Sequence, residues 1–304
     1  MALEARLGIA PIAWSNDDLP QLGGDTSLET CLSEARLAGF SGVESGGKFP
    51  STAAELRPIL DAHDLCLVSG WYSGTVLDAD LSAEKARVSA QLGMFKALGA
   101  PVLVYGETAG TIQNKRGAPI ATRRVLSDED MRAYGRKLTA FAEFCADEGV
   151  PLSFHHHMGT AVETEGDVDR LMAATGEAVG LLYDTGHLTF AGADVLRVLD
   201  RHGPRINHVH AKDVRGPVAA GLDRGRESFL DAVLKGVYTV PSDGMVDFGA
   251  VAARLAAIGY EGWFVVEAEQ DPAKAPPLEY ARIGHAALSR ALRAAGYEIR
   301  EGRP

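Results

Sequence analysis

The sequence predicts a (β/α)8 TIM barrel, an α/β fold, built as a single domain from residues 1–304. Eight short apolar runs are each followed by a segment with helical periodicity, and this alternation is typical of such a barrel. A length of 304 residues is large for one domain of most other classes but usual for this fold. The hydrophobic content of 46% is enough to fill the large core that the fold requires.

The predicted strands are short and apolar, and several of the helical segments carry start or stop signals. The strands span residues 7–14, 42–45, 66–72, 102–105, 152–157, 179–184, 206–212 and 262–269. The helices span residues 28–39, 52–63, 82–98, 128–148, 165–174, 193–202, 227–234, 247–258 and 278–295. Ser127 with Asp130 and Thr164 with Asp167 are capping pairs at helix starts, and Gly99 follows the last turn of a helix.

Two connections that follow strands are longer than usual for a barrel, namely residues 106–125 and 214–226. Both are rich in glycine and arginine. Loops that follow barrel strands lie over the C-terminal mouth, where active sites are found. We expect them to act as lids that offer cationic or hydrogen-bonding groups to an oxygen-rich ligand, the alternative being two solvated surface loops.

The composition excludes several classes of partner. The net charge of -11 is spread along the chain and repels phosphodiester backbones, so nucleic acid is not an expected partner. Cys31, Cys66 and Cys145 lack the spacing of a metal site and are typical of a reducing compartment. The sequence has neither a signal peptide nor an apolar run of the roughly 20 residues that span a bilayer. We expect a cytoplasmic protein without membrane contact, and the sequence leaves a homo-oligomer open.

The ends of the last four predicted strands carry side chains that bind metals. In the strand 206–212, alternate residues share a face, which places three nitrogen bases on one side. The four strands contribute His155, His157, Asp184, His187, His208, His210, Lys212, Glu267 and Glu269. Earlier strands add Trp14, Asn16, Glu44 and Trp71 near the same rim.

Strand ends converge at the mouth of a barrel, so this pattern predicts one shared site. Imidazoles and carboxylates without a thiolate suit Mn2+, Co2+, Fe2+, Zn2+ or Mg2+, and the nitrogen ligands weigh against Ca2+. Each residue taken alone has a structural explanation, and His156, which faces the helices, is expected to be structural. Four successive strands with such ends favour a metal site.

Three segments resemble the last three metal-bearing strands of the xylose-isomerase-like barrel superfamily of sugar isomerases, epimerases and dehydratases. They are Tyr183-Asp184-Thr185-Gly186-His187, His208-Val209-His210-Ala211-Lys212-Asp213 and Val266-Glu267. Within the superfamily the resemblance is strongest to the inosose (2-keto-myo-inositol) dehydratases, through residues 8–18, 154–160, 228–230 and 240–244. The resemblance covers nearly the whole chain, and its most specific part is the triple-histidine segment with the following Gly-Thr.

This resemblance implies a metal held by His155, Asp184, His210 and Glu267. Most relatives have glutamate where this chain has His155. His157 lies on the same predicted face, so it is open whether His155 or His157 is the ligand, or whether this position touches substrate only. Histidine in place of glutamate makes the site one charge less negative, which should leave the ion a stronger Lewis acid.

The resemblance also implies a reaction, the elimination of water from 2-keto-myo-inositol in inositol catabolism, with Mn2+ or Co2+ as the metal. Glutathione is associated with this activity by resemblance only. The available proton carriers are Lys212, His157, His187 and Glu44. We expect Lys212, its pKa lowered by a nearby cation, or His157 to take the α-proton. His187 then either protonates the departing hydroxyl or orients Asp184.

The expected substrate contacts are Trp14, Asn16, Trp71 and His208, with the two indoles facing the C–H surface of a cyclitol. Three other functions remain open. The first is a metal-dependent ketose isomerase or 3-epimerase, which would conserve mass. The second is an endonuclease-IV-like phosphodiesterase, which needs more metal ligands and a basic face that this acidic chain lacks. The third is a metal-free sugar-binding barrel, which would keep its ligand affinity in the presence of a chelator.

Overall fold

The computed structural model describes residues 3–302 and contains a closed ring of eight parallel strands. The strands in chain order are β1 (Leu3–Ile9), β2 (Gly42–Ser45), β3 (Cys66–Gly74), β4 (Leu103–Glu107), β5 (Leu152–His155), β6 (Gly180–Asp184), β7 (Ile206–Ala211), β8 (Asp213–Val214), β9 (Tyr238–Thr239), β10 (Gly262–Val266) and β11 (Tyr297–Ile299). Strands β1 to β7 and β10 form the ring, which closes where β10 pairs with β1. The predicted (β/α)8 barrel is therefore confirmed.

Helices surround the ring, and their boundaries agree with the sequence pattern. They are α1 (Leu28–Leu37), α2 (Ala53–Ala62), α3 (Leu81–Leu98), α4 (Asp128–Asp147), α5 (Glu165–Ala174), α6 (Thr185–Ala191), α7 (Val195–His202), α8 (Gly216–Ala220), α9 (Phe229–Leu234), α10 (Phe248–Ala257) and α11 (Pro277–Ala294). All nine predicted helices are present, whereas α6 and α8 were not predicted. Within residues 3–302, no helix is both long and apolar enough to cross a membrane.

The interior of the barrel below its mouth is filled by side chains. Val68, Trp263 and Val265 pack together on the inner face with Ala10. Gly42 leaves room for these four side chains, because a Cβ there would lie 2.7 Å from the Trp263 ring and 2.4 Å from Val68. A separate and larger core lies between the ring and the helices. The packed floor restricts ligands to the C-terminal mouth.

The two long loops bind to each other across this mouth. The backbone N–H of Ile120 donates to the carbonyl of Glu227 at 2.9 Å, and that of Ala121 donates to Arg224 at 2.9 Å. Several of their arginines pair with carboxylates of the protein, as Arg123 does with Asp167 at 2.7 Å. The cationic part of the lid expectation is therefore wrong, because no arginine or lysine of these loops lines the mouth in the described part of the chain. A hydrogen-bonding group is present there, since Gln113 of the first loop lines the mouth.

Candidate active site and metal centre

A cavity of about 610 Å³ opens at the C-terminal mouth of the barrel. Of the residues singled out in the sequence, its wall includes Trp14, Glu44, Trp71, His155, His157, His210, Glu267 and Glu269. Within residues 3–302 the wall does not include Asn16, Asp184, His187, His208 or Lys212. The sequence thus identified the correct end of the barrel, but several of its candidates lie behind the cavity surface.

Four side chains at the base of the cavity form a cluster that could hold a metal ion. His155, Asp184, His210 and Glu267 offer one ligand atom each, and these atoms all lie within 4.8 Å of one another. Asp184 Oδ2 is 3.5 Å from His155 Nε2 and 3.4 Å from His210 Nδ1, while His210 Nδ1 also contacts Glu267 Oε2. The four residues come from the ends of β5, β6, β7 and β10 and are all buried.

The hydrogen bonds around the cluster leave its inner atoms without partners. His155 Nδ1 donates to the carbonyl of His156 at 2.6 Å, so the neutral ring has its lone pair on Nε2, which faces Asp184. Asp184 Oδ2, His210 Nδ1 and Glu267 Oε2 are buried and have no hydrogen-bond partner. When His210 Nδ1 carries no proton, all three atoms are acceptors, and buried acceptors that face each other without a donor destabilise the folded state. A divalent cation with two nitrogen and two oxygen ligands resolves this arrangement, so the residues fit a metal.

The charges of the cluster also favour a cation. Burial lowers the pKa of His210, but the carboxylates of Glu44 and Glu267 outweigh it and raise that pKa well above its usual value. Burial raises the pKa of Asp184, yet Lys212 and the neighbouring histidines hold it well below its ordinary range. The site therefore favours ionised carboxylates around a positive charge, which either a proton on His210 or a metal ion supplies.

Asp184 has a second role that explains why β6 ends where it does. The residue is the N-cap of α6, and its Oδ1 accepts the backbone N–H of His187 at 2.8 Å. This leaves Oδ2 for the cluster. Residues 185–187, which follow the strand directly, thus form the first turn of a helix, because the aspartate at the strand end caps it. The structure places His156 outside the cluster, where its Nε2 accepts the backbone N–H of Asp184 at 3.4 Å.

Lys212 is enclosed behind the wall and has no exposed surface. Its Nζ lies 2.8 Å from Glu269 Oε2, 3.0 Å from His187 Nε2 and 3.3 Å from Glu267 Oε1. Burial alone would lower the pKa of Lys212, but Asp184, Glu267 and Glu269 raise it above the usual lysine value. The expected fall in this pKa is therefore wrong for the charges of the protein itself, because three carboxylates surround the ammonium.

His187 is also enclosed, and its ring lies between Lys212 and a tyrosine. Its Nδ1 is 2.9 Å from the hydroxyl of Tyr238, and its backbone N–H is the one that Asp184 accepts. Burial lowers the pKa of His187 well below its usual value, and the neighbouring His157 and Lys212 lower it further. The ring is therefore neutral and fixed in place.

His157 and Glu269 form the opposite corner of the cavity wall. His157 follows β5 on a turn rather than lying on the strand, since its backbone N–H bonds to the carbonyl of Val162 at 3.1 Å. Its Nδ1 donates to the carbonyl of Met158 at 2.8 Å, so the neutral ring has a free lone pair on Nε2, 3.8 Å from Glu269 Oε1. In the sequence, Glu269 stands at a strand end without a predicted role. The signal was its position two residues beyond Glu267.

The four expected substrate contacts separate into two groups. Trp71 is 38% exposed at the mouth, with its ring edge-on to His155 and His157 at centroid distances of 5.7 and 5.8 Å. Trp14 lines the cavity, although it is almost fully buried. Asn16 is used within its own loop, where Oδ1 accepts two backbone N–H groups at 2.9 Å, and His208 bonds to Glu44.

The wall residues that the sequence analysis did not single out include the polar side chains of Asp17, Asp18, Lys48 and Gln113. Gln113 belongs to the first long loop, and this location at the mouth was the one available signal. The backbone at Gln113 packs against Gly159, where a Cβ would lie 2.9 Å from its nitrogen. The close approach connects the loop to the triple-histidine turn, a contact between distant segments that no local pattern reports.

Comparison with known proteins agrees with this architecture. The xylose isomerase-like TIM barrel family matches residues 32–291. The chain is 50% identical to the rhizopine catabolism protein MocC of Rhizobium meliloti, over 98% of this chain and 91% of that protein. It is 44% identical to an inosose dehydratase of Geobacillus thermodenitrificans, over 91% of this chain and 94% of that protein.

A solved L-ribulose 3-epimerase has the same fold. Its TM-score to this chain is 0.67 at 18% sequence identity, and the match covers 96% of this chain and 95% of the epimerase. The family match, the two relatives and this structural similarity extend over nearly the whole barrel. The chain therefore belongs to the xylose isomerase-like TIM barrel family.

Proposed function

We propose that the protein is an inosose dehydratase, a hydro-lyase that converts 2-keto-myo-inositol to a trihydroxycyclohexane dione and water. The observation that carries the proposal is the 44% identity to the Geobacillus enzyme of that name, which extends over 91% of this chain. The cluster of unpartnered acceptors at the mouth supports it, because loss of a hydroxyl next to an activated ketone requires stabilisation of developing negative charge.

The metal that we propose is Mn2+ or Co2+, held by His155, Asp184, His210 and Glu267. Such an ion supplies Lewis-acid stabilisation of the charge that develops on the ketone oxygen. The proposal favours His155 over His157 as the ligand from the fifth strand. Only His155 has its free Nε2 directed at the cluster, while that of His157 is directed at Glu269.

The base that removes the α-proton is His157 in this proposal. It lies on the cavity wall, and the carbonyl of Met158 keeps the proton on Nδ1, so that Nε2 is free to accept. Glu269 is 3.8 Å away and stabilises the imidazolium that forms. The same imidazolium can return its proton to the departing β-hydroxyl, which balances the loss of water. Lys212 and His187 support this pair from behind, and the fixed ring of His187 favours its orienting role.

The aromatic side chains at the mouth contact the apolar C–H surface of the substrate ring in this proposal. Trp71 is half-exposed beside both histidines, so its indole can cover the C–H face of a cyclitol and exclude water from the reacting carbon. Trp14 is held by a hydrogen bond from its Nε1 to Glu34 at 2.6 Å and forms a fixed part of the wall.

A direct test is the ultraviolet absorbance of the dione after purified protein is mixed with 2-keto-myo-inositol. We expect a band that disappears with EDTA and returns when Mn2+ or Co2+ is added. Activity that is unaffected by exhaustive chelation would contradict the metal site. The assay is run with and without glutathione, which enters the proposal by resemblance only.

A second candidate follows from the relative named for rhizopine catabolism, whose 50% identity exceeds that of the inosose dehydratases described above. The substrate would then be a compound of that catabolism bound in the same cavity. An isomerase or 3-epimerase would also use the same cluster. Mass spectrometry separates dehydration from isomerisation, because dehydration removes 18 mass units, about one water, whereas isomerisation conserves mass.

A further inference from the structure

Glu44, at the end of β2, lies against the side of His210 that faces away from the metal cluster. Its Oε1 accepts hydrogen bonds from the Ser69 hydroxyl, from His208 Nε2 at 3.0 Å and from His210 Nε2 at 3.0 Å. The residue is 6% exposed. One carboxylate oxygen is thus the common acceptor for three donors from β3 and β7.

The strand geometry turns Glu44 toward these donors. The register between β2 and β3 shifts between Val43 and Glu44, and beyond this irregularity Glu44 is paired with Ser69. Bulges of this kind re-aim a side chain and are common beside active sites. Ser69 then fixes the carboxylate by donating its hydroxyl proton, and this leaves the orientation of Glu44 independent of any ligand.

The hydrogen bond to Glu44 determines which nitrogen of His210 is free. A carboxylate oxygen only accepts, so the hydrogen bond to Glu44 requires a proton on Nε2. With a metal ion in the cluster the ring is neutral and its lone pair lies on Nδ1, whereas without an ion the neighbouring carboxylates favour a second proton on Nδ1. Nδ1 is the atom that contacts Glu267 and lies 3.4 Å from Asp184. Rotation of the ring by 180° about its Cβ–Cγ bond would remove Nδ1 from the cluster and break the bond to Glu44.

We infer that Glu44 is a positioning residue: its Oε1 holds the His210 ring with Nδ1 directed into the cluster as a metal ligand, and Glu44 carries no proton in the reaction. This inference rests on the metal site of the proposed function. It replaces the expectation that Glu44 is an acid or base. Outer partners of metal-bound histidines commonly fix the ring and its tautomer in this way.

A competing reading places a second metal on this side of the ring. Glu44, His208 and His210 also lie close enough to share an ion. Such an ion would displace the protons that His208 and His210 donate to Glu44, and the hydroxyl of Ser69 would lose its acceptor. The two readings differ in stoichiometry, one ion per chain against two, so metal titration distinguishes them.

The experiment compares Glu44→Gln and Glu44→Leu with the wild-type protein by Mn2+ titration calorimetry and steady-state kinetics. Glutamine retains an accepting oxygen, so we expect its Mn2+ Kd to remain within a few-fold of wild type. Leucine removes the acceptor, and we expect Mn2+ binding about 10- to 100-fold weaker, with most of kcat recovered at saturating Mn2+. Glu29→Gln, at an exposed position, is the matched control.

Several outcomes would overturn the inference. If both Glu44 variants bind Mn2+ as wild type does but lose kcat at saturating metal, Glu44 carries a proton. Two Mn2+ ions per wild-type chain, reduced to one in Glu44→Gln, would establish the second site instead. A wild-type chain that binds no Mn2+ would overturn the proposed metal site as well, whereas wild-type binding with an unchanged Glu44→Leu Kd refutes the positioning role alone.

A measurement on the unmodified protein covers the case in which Glu44→Leu does not fold. In the Zn2+-loaded wild type, nitrogen-15 spectra of the imidazoles report the state of each ring nitrogen. We expect His210 to have a protonated Nε2 and a metal-bound Nδ1. A metal-bound Nε2 on His210 would contradict the inference directly.

Discussion

Lys212 Nζ lies 2.8 Å from Glu269 Oε2, and the ammonium is fully buried while the carboxylate lines the cavity. A ligand in the cavity therefore contacts Glu269, while the ammonium group of Lys212 lies behind that carboxylate, away from the cavity. The pair couples the wall to the cluster, because the same ammonium is 3.6 Å from Asp184 Oδ2. Lys212 compensates the negative charge of the buried carboxylates rather than contacting the substrate.

Replacing Lys212 by methionine should destabilise the fold by about 3–5 kcal/mol, because removal of one partner leaves buried carboxylates uncompensated. Chemical denaturation of the metal-free protein measures this change. The exposed Lys115→Met is the matched control and should be nearly neutral. Equal stability of the two variants would mean that Lys212 does not balance these charges.

The sequence was sufficient to predict the barrel and the cluster for a physical reason. Periodicity in each strand and helix reports which face is buried, and parallel strands deliver their C-terminal residues to one mouth. His155, Asp184, His210 and Glu267 each lie at or next to a strand end, so topology brings them to one mouth, while the family resemblance selected these four as the ligand set.

The remaining features depend on contacts that no local pattern encodes. Whether a side chain at the mouth faces the cavity or lies behind its wall depends on small rotations of the backbone at the strand end. Glu269 lines the cavity, for example, whereas Lys212 is buried behind the wall. The prediction that the two long loops offer cationic groups to a ligand was wrong because carboxylates of the protein pair with guanidinium groups of these loops, as Asp167 does with Arg123. Which nitrogen of His210 is free depends on Glu44, 166 residues away in the chain.

His155 and His157 should differ in what their loss affects, although both are histidines two residues apart. His157→Gln should lower kcat by about 10²- to 10⁴-fold, the usual contribution of a general base, and keep Mn2+ affinity. His155→Gln should weaken Mn2+ binding by at least the roughly 10- to 100-fold that loss of an outer partner costs. Calorimetry and kinetics on both variants measure this, each serving as the control for the other. Reversed effects would make His157 the ligand.

Asp167 should make the stability of the fold depend on pH. It completes the capping box of α5, in which its Oδ2 accepts the backbone N–H of the N-cap Thr164 at 3.0 Å, and both its oxygens bind arginines. Burial raises the pKa of Asp167, but the hydrogen bonds from Thr164 and Arg170 outweigh it and lower that pKa. The ionised side chain therefore stabilises the fold above the unfolded pKa of about 3.9, and this contribution is lost as the pH falls through the lower folded pKa.

Asp167→Asn should then cost about 1–3 kcal/mol at pH 7, because a buried network loses its charged acceptor. The difference from wild type should begin to shrink below about pH 4, where Asp167 of the unfolded chain takes up a proton, and should disappear below the lower folded pKa, where the folded side chain is protonated too. Urea denaturation at a series of pH values measures both effects, with the exposed Asp147→Asn as control. A difference that is independent of pH would exclude the charge as the cause.

The cavity should reject phosphorylated ligands. Among the described residues of its wall, Lys48 is the only lysine or arginine, and its Nζ already binds the carbonyls of Gly23 at 3.2 Å and Gly24 at 2.8 Å. The carboxylates of Asp17, Asp18, Glu44, Glu267 and Glu269 share the same wall. Apart from the metal ion, which the ketone of the substrate is proposed to use, a phosphate would meet like charges with no free lysine or arginine, which costs several kcal/mol of binding.

Competition assays test this selectivity with the metal kept constant. We expect myo-inositol to inhibit the dehydration of 2-keto-myo-inositol competitively, while myo-inositol 1-phosphate at the same concentration has no effect. Gln113→Lys, which adds a cation to the wall, should lower the inhibition constant of the phosphate but not that of myo-inositol. If the phosphate competes as well as myo-inositol in the wild type, a cationic group reaches the cavity during binding. Movement of Lys48 away from its carbonyl partners would then be the first explanation to examine, by the Lys48→Met variant.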